Sequence, residues 1–262
     1  NHGHQPWYLY ATGVVDTAPR GPVEMKWTFH VTDLPRRCAL AVEAPDSYRI
    51  TVNGAAVGAA EGFWVDQEIR TIDVTGLLRA GDNEVVLAFD YRPDMELEDL
   101  YLVGEFGVAR REGQPPRPGA WTVVKPPTRL RAGSWVGQGL DFYGGTVRYR
   151  MEVRRGDARG RVRVRLPEVS CTAAAVHAGG QTFFLPWAPM EADVTDALAD
   201  GPNTVVVEVF GGRKNTLGPL HVPRQRWTGP GEFDPDNAKW TDEYLLTDHG
   251  LMGPVVVETL GE

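Results

Sequence analysis

The chain has 262 residues, 42% of them hydrophobic and 24% charged, which is enough for two domains that each bury a core. Its formal net charge of −8 argues against nucleic-acid binding, because phosphate recognition needs an excess of Lys and Arg. The sequence has no apolar run near the roughly 18–20 residues needed to span a bilayer, so a membrane partner is not expected. Two cysteines, Cys38 and Cys171, exclude a disulfide framework and predict buried free thiols.

The chain begins with Asn1-His-Gly-His, without Met and without a charged-then-apolar signal segment. Removal of a leader and excision from a longer protein both explain this start. We favour the second and expect a piece of a larger protein.

Short alternating segments predict strands along the whole chain. Tyr48–Gly54 alternates with period two and ends in Asn53-Gly54, the strongest short hairpin signal. Arg148–Val153 and Arg161–Leu166 alternate in the second half, and no segment has a long helical period. Strands every eight to twelve residues with turn signals between them indicate antiparallel β-sandwiches.

One motif occurs twice, 120 residues apart. DVTGLLRAGDNEVVLAF starts at Asp73 and DVTDALADGPNTVVVEV at Asp193, with eight identities in the first fifteen positions. Asp-Val-Thr predicts the end of a strand and a capped helical turn, Gly-x-Asn a tight turn, and Val-Val the next strand. The repeat therefore predicts an all-β protein of two tandem antiparallel jelly-roll β-sandwiches, with domains at 1–128 and 129–262.

Several segments resemble a known family. VNGAAVG from Val52, the Asp73 motif, LYLVGEFGV from Leu100, WVGQGLDFYGG from Trp135 and NTLGPLH from Asn215 are similar to galactose-binding-like jelly-roll domains. Such domains accompany glycoside hydrolases of the β-galactosidase superfamily and of the α-L-rhamnosidase type. The resemblance covers most of 27–108 and 130–257, and it departs at Val176-His-Ala-Gly-Gly, where we expect a hairpin built differently.

The resemblance implies an accessory part of a larger, secreted or periplasmic, polysaccharide-degrading enzyme. Its partners would be a polysaccharide or oligosaccharide and the parent catalytic domain. It implies no catalytic residue, because the family's catalytic pair lies on a barrel outside this chain. Two roles stay open: carbohydrate binding, and purely structural bracing of the parent enzyme.

An acidic loop offers the best candidate for a cofactor, a structural Ca²⁺. Asp94, Glu96 and Asp99 could supply oxygen ligands, and a solvated loop and a catalytic pair are the alternatives. The sequence has no Gly-x-Ser-x-Gly, His-Glu-x-x-His, Walker or Cys-x-x-Cys motif, so we expect no enzyme activity from this chain alone.

A sugar site needs an exposed aromatic ring for the apolar face of a pyranose, with polar groups beside it for the hydroxyls. Trp64 and Trp187 lie next to Gly or Pro in loops, and each is either a platform or a plug. The segment from Phe210 to Asn215 is rich in hydrogen-bonding groups, and Tyr143 is either a platform or an inter-domain packing residue. The predicted sugar-binding residues are Trp187, Arg213, Asn215, His221, Trp64 and Tyr143.

A row of arginines occupies one face of the strand predicted at Arg161–Leu166. Alternation places Arg161, Arg163 and Arg165 together, with Val162 and Val164 on the other face. A solvated face balanced by neighbouring acids and a docking surface for an acidic glycan or a domain both fit this pattern.

Overall fold

A computed structural model of the protein describes residues 6–13, 16–95, 97–155, 160–223 and 228–260. The chain separates into two compact units, Asn1–Pro126 and Pro127–Glu262. Within the described ranges, no helix is long and apolar enough to cross a membrane.

The first unit is built from two sheets. Its described elements are α1 (Pro6–Thr12), β1 (Gly21–Val31), β2 (Cys38–Glu43), β3 (Arg49–Val52), β4 (Ala55–Ala56), β5 (Phe63–Trp64), β6 (Asp66–Asp73), β7 (Gly81–Tyr91), β8 (Tyr101–Gly104), β9 (Gly107–Arg110) and β10 (Trp121–Val124). One sheet has the order β4-β3-β7-β1-β10-β9 and the other β5-β6-β2-β8. The pairs are antiparallel except for β1 and β10, which pair in parallel.

The second unit repeats this order over the strands that carry the repeated motif. Its described elements are β11 (Thr146–Arg155), β12 (Arg161–Arg165), β13 (Val169–Ser170), β14 (Ala173–Ala178), β15 (Gln181–Leu185), β16 (Glu191–Asp193), β17 (Gly201–Phe210), α2 (Lys214–Leu217), β18 (Gly250–Leu251) and β19 (Val256–Leu260). The sheets are β11-β17-β14-β15, β16-β12-β19 and β13-β18. The order β15-β14-β17-β11 matches β4-β3-β7-β1 of the first unit.

Each core lies between two sheets. In the first unit, Leu40 and Ile72 of one sheet pack in one cluster with Val52 and Val85 of the other. In the second unit, the inward residues of β12 and β16 share a cluster with those of β14 and β17. Apolar residues alternate with polar ones in the sequence because successive residues of a strand face opposite sides of the sheet, and only one side is buried in the core. The predicted all-β class with antiparallel β-sandwich packing is confirmed, whereas jelly-roll topology stays a prediction.

The repeated motif adopts the same local structure twice. In the first unit the Thr75 amide donates to Asp73 Oδ1 at 2.8 Å, and a 3-10 turn covers Thr75–Leu77. In the second unit the Thr195 amide donates to Asp193 Oδ1 at 3.1 Å, and a 3-10 turn covers Thr195–Ala197. The carboxylate therefore satisfies a turn amide that has no partner within the turn.

The asparagine of each motif closes the next turn. Asn83 Nδ2 donates to the Arg79 and Gly81 carbonyls, and Asn83 Oδ1 accepts from the Arg79 amide. Asn203 makes the same three bonds, to Ala199 and Gly201. The sequence identity at this position thus reflects an identical set of hydrogen bonds.

The two hairpins differ in sequence and share a geometry. Asn53 and Gly54 have φ of 53° and 82°, and Gly179 and Gly180 have φ of 53° and 77°. Both are two-residue turns in which both residues have positive φ. The expectation of a differently built second hairpin is therefore wrong, because a Gly-Gly pair reaches the same left-handed conformation as Asn-Gly.

Candidate functional site

Three of the predicted sugar-binding residues lie in loops at one end of the sheet β11-β17-β14-β15. Thr146 of β11 and Ala173 of β14 both pair with Phe210 of β17, so these strands begin where β17 ends. The strand β15 ends here too, because Leu185 pairs with Ala174. We call this region the loop end of the second unit. Tyr143, Trp187 and Arg213 flank its strands.

A pocket of about 380 Å³ opens at the loop end. This volume falls within the range of roughly 300–1,000 Å³ that is usual for small-molecule sites. Its described lining is mainly polar and includes the hydroxyl groups of Ser170, Thr172, Thr228 and Thr247. Two positively charged residues, Arg213 and Lys214, complete one side.

Glycines bring the pocket wall together. Strand β17 is followed by Gly211 and Gly212, and a Cβ on Gly212 would lie 2.9 Å from His249 Cε1. A Cβ on Gly211 would lie 2.6 Å from the Trp135 ring, which is only 1% exposed. The two glycines therefore let the loop pass between a core tryptophan and His249, which lines the pocket.

Asn215 fastens the pocket loop to the main chain. Its side chain is 2% exposed, and its Nδ2 donates to the carbonyls of Asp141 and Thr247 at 2.9 Å. Its Oδ1 accepts a 2.7 Å bond from the Thr247 amide. These bonds use both donor hydrogens and the oxygen of the amide. Asn215 thus holds Thr247, a lining residue, in place.

Among the described residues of the second unit, the aromatic residues of β15 and its following loop are the most exposed. The Trp187 side chain is 75% exposed and that of Phe184 73%. Because Trp187 follows the end of β15, it lies on the loop-end side of the sheet, whereas Phe184 lies opposite Ala175 within the ladder. Trp187 is therefore a surface aromatic ring and does not plug the loop.

Tyr143 and His221 are engaged inside the unit. The Tyr143 hydroxyl lies 3.2 Å from both the amide and the carbonyl oxygen of Thr146, and its ring approaches Trp135. The His221 Nδ1 lies 2.7 Å from the Thr241 carbonyl, and its ring stacks on Trp240 at a centroid distance of 4.2 Å. Both residues shape the loops, and Tyr143 remains 40% exposed.

Trp64 belongs to the first unit, whereas the loop end belongs to the second. It lies on β5, is half-buried, and its ring centroid is 5.2 Å from that of Tyr101. The neighbouring Phe63 is 60% exposed. The first unit therefore exposes the phenylalanine of this pair more than the tryptophan.

The acidic loop is partly outside the described residues, since Glu96 is not among them. Asp94 pairs with Arg92, with 3.0 Å between Arg92 Nε and Asp94 Oδ1, and this hydrogen bond lowers the pKa of the carboxyl group. Asp99 is exposed. No three His, Cys, Asp or Glu side chains in the described part of the chain form a metal-binding group. A calcium site at Asp94, Glu96 and Asp99 stays a prediction.

The arginine row on β12 is matched by acids on the flanking strands. Arg161 pairs with Asp193, Arg163 with Glu191, and Arg165 with both Glu191 and Glu258. The solvated face balanced by acids is thus the arrangement found.

A second polar cluster lies on the sheet β11-β17-β14-β15, on the face away from the core. The Glu208 carboxylate accepts a 2.8 Å bond from Arg148 Nε and lies 2.7 Å from His177 Nε2, while His177 Nδ1 lies 3.0 Å from Thr182 Oγ1. Burial raises the pKa of Glu208, but the bonds from His177 and Arg148 outweigh it and lower the pKa overall. Because these groups satisfy one another, we assign the cluster to stabilisation of the sheet face.

Much of the pocket lining was not predicted from the sequence. Thr172, Thr247 and His249 were not candidates, and Lys214 lay within the Phe210–Asn215 segment without being chosen as a site residue. Cys171, expected to be buried, is half-buried in the lining, and burial raises the pKa of its thiol, whereas Cys38 is buried as predicted. The signals in the sequence were Arg213 and the Gly211-Gly212 pair after a strand, because adjacent glycines permit close approach of the backbone.

Comparisons with known proteins give matches among solved structures alone: no family model and no curated protein matches. A rhamnosidase from Novosphingobium sp. PP1Y matches at 18% identity and a TM-score of 0.33, over 92% of this chain and 22% of that chain. The Streptomyces avermitilis α-L-rhamnosidase complexed with L-rhamnose matches at 16% identity and a TM-score of 0.29, over 74% and 22%.

A smaller protein is also similar: the Pleurotus ostreatus lectin, at 12% identity and a TM-score of 0.21, over 76% of this chain and 70% of that chain. The similarity to glycoside hydrolases that the sequence resemblance implies is found. The chain spans about a fifth of the length of the rhamnosidases it matches. Because these TM-scores are below 0.5, we draw no conclusion on function from them.

Proposed function

We propose that this chain is a non-catalytic, carbohydrate-binding accessory part of a larger glycoside hydrolase, secreted or periplasmic with its parent. The binding site in this proposal is the loop end of the second unit. The observation that carries it is the polar pocket of about 380 Å³ at the end of the sheet where β15 runs into the exposed Trp187. This combination matches the two chemical sides of a pyranose, an apolar face and a rim of hydroxyls.

Each part of the site has a role in this proposal. Trp187 stacks on the sugar ring, and Arg213 donates hydrogen bonds to ring substituents. The hydroxyl oxygens of Ser170 and Thr172, which donate to the Asp248 and Gly211 carbonyls, accept hydrogen bonds from sugar hydroxyls. Asn215 and His221 position the loops and do not contact the sugar, because their bonds and ring contacts are made within the unit. Tyr143, which is 40% exposed, precedes β11 at the same end. Trp64 belongs to the first unit and is not assigned to this site.

A structural role without sugar binding is the second candidate. The observation that favours it is the internal use of Asn215, His221 and Tyr143, which the sequence presented as contacts for a ligand. A brace would need firmly held loops of this kind. It gives no role to the Trp187 ring, which is 75% exposed.

The test is binding of the isolated chain to immobilised polysaccharides and to a glycan array that spans neutral and acidic plant and bacterial sugars. We expect retention on at least one glycan and its loss in Trp187→Ala. The matched control is Phe63→Ala, which removes a comparably exposed aromatic residue from the first unit. Its retention should equal that of the unmodified chain.

Two results would contradict the proposal. Failure of the folded chain to bind any glycan would favour the structural role. Equal loss of retention in the Trp187 and Phe63 variants would show that exposed aromatic surface, and not the loop end, is responsible. Circular dichroism of each variant establishes that the sandwich is intact.

A further inference from the structure

We infer that the loop-end pocket selects a saccharide that carries a carboxylate, a uronic acid unit, over its neutral counterpart. This inference rests on the proposed function and names the ligand class for the same site. It follows from the charges that line the pocket and from the pairing of arginines elsewhere in the chain.

The pocket lining carries positive charge and, among its described residues, no acid. Arg213 and Lys214 are adjacent in the chain and both line the pocket. The protein as a whole has a formal net charge of −8, so the positive charge of the pocket lining is opposite in sign to the net charge of the protein. A cleft lined by one sign of charge raises the local concentration of the opposite ion.

The described arginines fall into two groups, those with an acidic partner and those without. Seven arginines of the described chain are paired with acidic side chains, namely Arg20, Arg37, Arg92, Arg148, Arg161, Arg163 and Arg165. In the described residues, Arg213 has no such ion pair, and its side chain is exposed. A guanidinium group presents a planar fork of donors that matches the two oxygens of a carboxylate. Arg213 is thus available to a carboxylate from outside the chain.

Hydroxyl groups line the same pocket as this arginine. The Arg213 stem packs against Gly144, where a Cβ would be 3.2 Å from Arg213 Cγ. Thr172 and Thr247 also line the pocket and supply hydroxyl groups that suit the uncharged substituents of the same sugar. The pocket therefore offers a carboxylate-binding group and hydroxyl-binding groups together.

The experiment is isothermal titration of the full chain with four matched oligosaccharides. These are galacturonate oligomers, the same oligomers as methyl esters, neutral galactose oligomers of equal length, and sulfated galactose oligomers. We expect the free galacturonates to bind at least about tenfold more tightly than their methyl esters, since a hydrogen bond to a charged group is typically worth that factor. Their affinity should fall as salt is raised.

The variants separate a specific contact from general charge. Arg213→Gln should remove the preference for the free acid, and Arg213→Lys should keep part of it, because Lys retains the charge and loses the fork. The control is Arg154→Gln, at the opposite end of β11, where Arg154 pairs with Pro202. It lowers the net charge equally and should leave the preference unchanged.

Every outcome decides between the two proposals. Binding of neutral or esterified oligomers at equal or higher affinity overturns the acidic preference and leaves carbohydrate binding in place. Preference for the sulfated oligomers over galacturonates, or equal effects of the Arg213 and Arg154 variants, also overturns it. Absence of binding to all four ligands, together with a blank glycan array, overturns the proposed function itself.

Discussion

Replacement of Gly179 by Ala should destabilise the second unit far more than the same change at Gly180. The two residues form the hairpin between β14 and β15, and both have positive φ. They differ in what a side chain would meet. A Cβ on Gly179 would lie 1.8 Å from the Ala197 carbonyl oxygen, whereas a Cβ on Gly180 would have nothing within 4 Å.

The magnitude follows from two contributions. Both variants bear the cost of a left-handed L-residue, about 1–2 kcal/mol. Gly179→Ala also forces a carbon and a backbone oxygen apart by about 1.5 Å to reach an ordinary contact of about 3.3 Å, a displacement like that of an overpacked core at about 1–3 kcal/mol. We therefore expect a loss of about 2–5 kcal/mol for Gly179→Ala and about 1–2 kcal/mol for Gly180→Ala.

The assay is urea unfolding of the full chain, followed by tryptophan fluorescence and circular dichroism, with the transitions of the two units fitted separately where they resolve. The first unit is the same in both variants and therefore serves as an internal reference. At the equivalent position its hairpin has Asn53, whose side chain donates to the Leu77 carbonyl. Equal midpoints for the two glycine variants would refute the close packing of the hairpin on the Thr195–Ala197 turn.

Two further predictions concern single side chains. The pKa of Asp193 is lowered from 3.8 to about 2, first by the hydroxyl of Thr195, then by the Thr195 amide and by Arg161. Because the folded state favours the ionised carboxylate, this group contributes stability that is present above about pH 4 and is lost as the pH falls toward 2. Asp193→Asn should lose this pH dependence in thermal melts, and an unchanged slope would contradict the assignment. Asn215→Ala should lower the free energy of unfolding by about 2 kcal/mol or more, because it leaves buried main-chain groups without partners. A smaller loss in urea unfolding would mean that water replaces the amide.

The sequence alone determined the class of fold and the local form of the repeat. Alternation along a strand reports burial on one side of a sheet, and the Asp and Asn of the motif bond to main-chain groups within four residues of themselves. Such signals are local, so one copy of the motif was enough to predict a turn and a strand. The Gly179-Gly180 hairpin, which sequence reasoning expected to differ, shows that different residues satisfy one backbone geometry.

Only the tertiary structure decided which candidate residues face a ligand. Asn215 is polar and lies in a glycine-rich loop, yet it is buried because it meets the main chain of Thr247, thirty-two residues away. Trp187 is exposed and follows β15, which is the edge strand of its sheet. The pocket draws its wall from residues near 171, 213 and 248, which strand pairing brings together. Periodicity and composition carry no information on such distant contacts, since these depend on how non-adjacent strands pack.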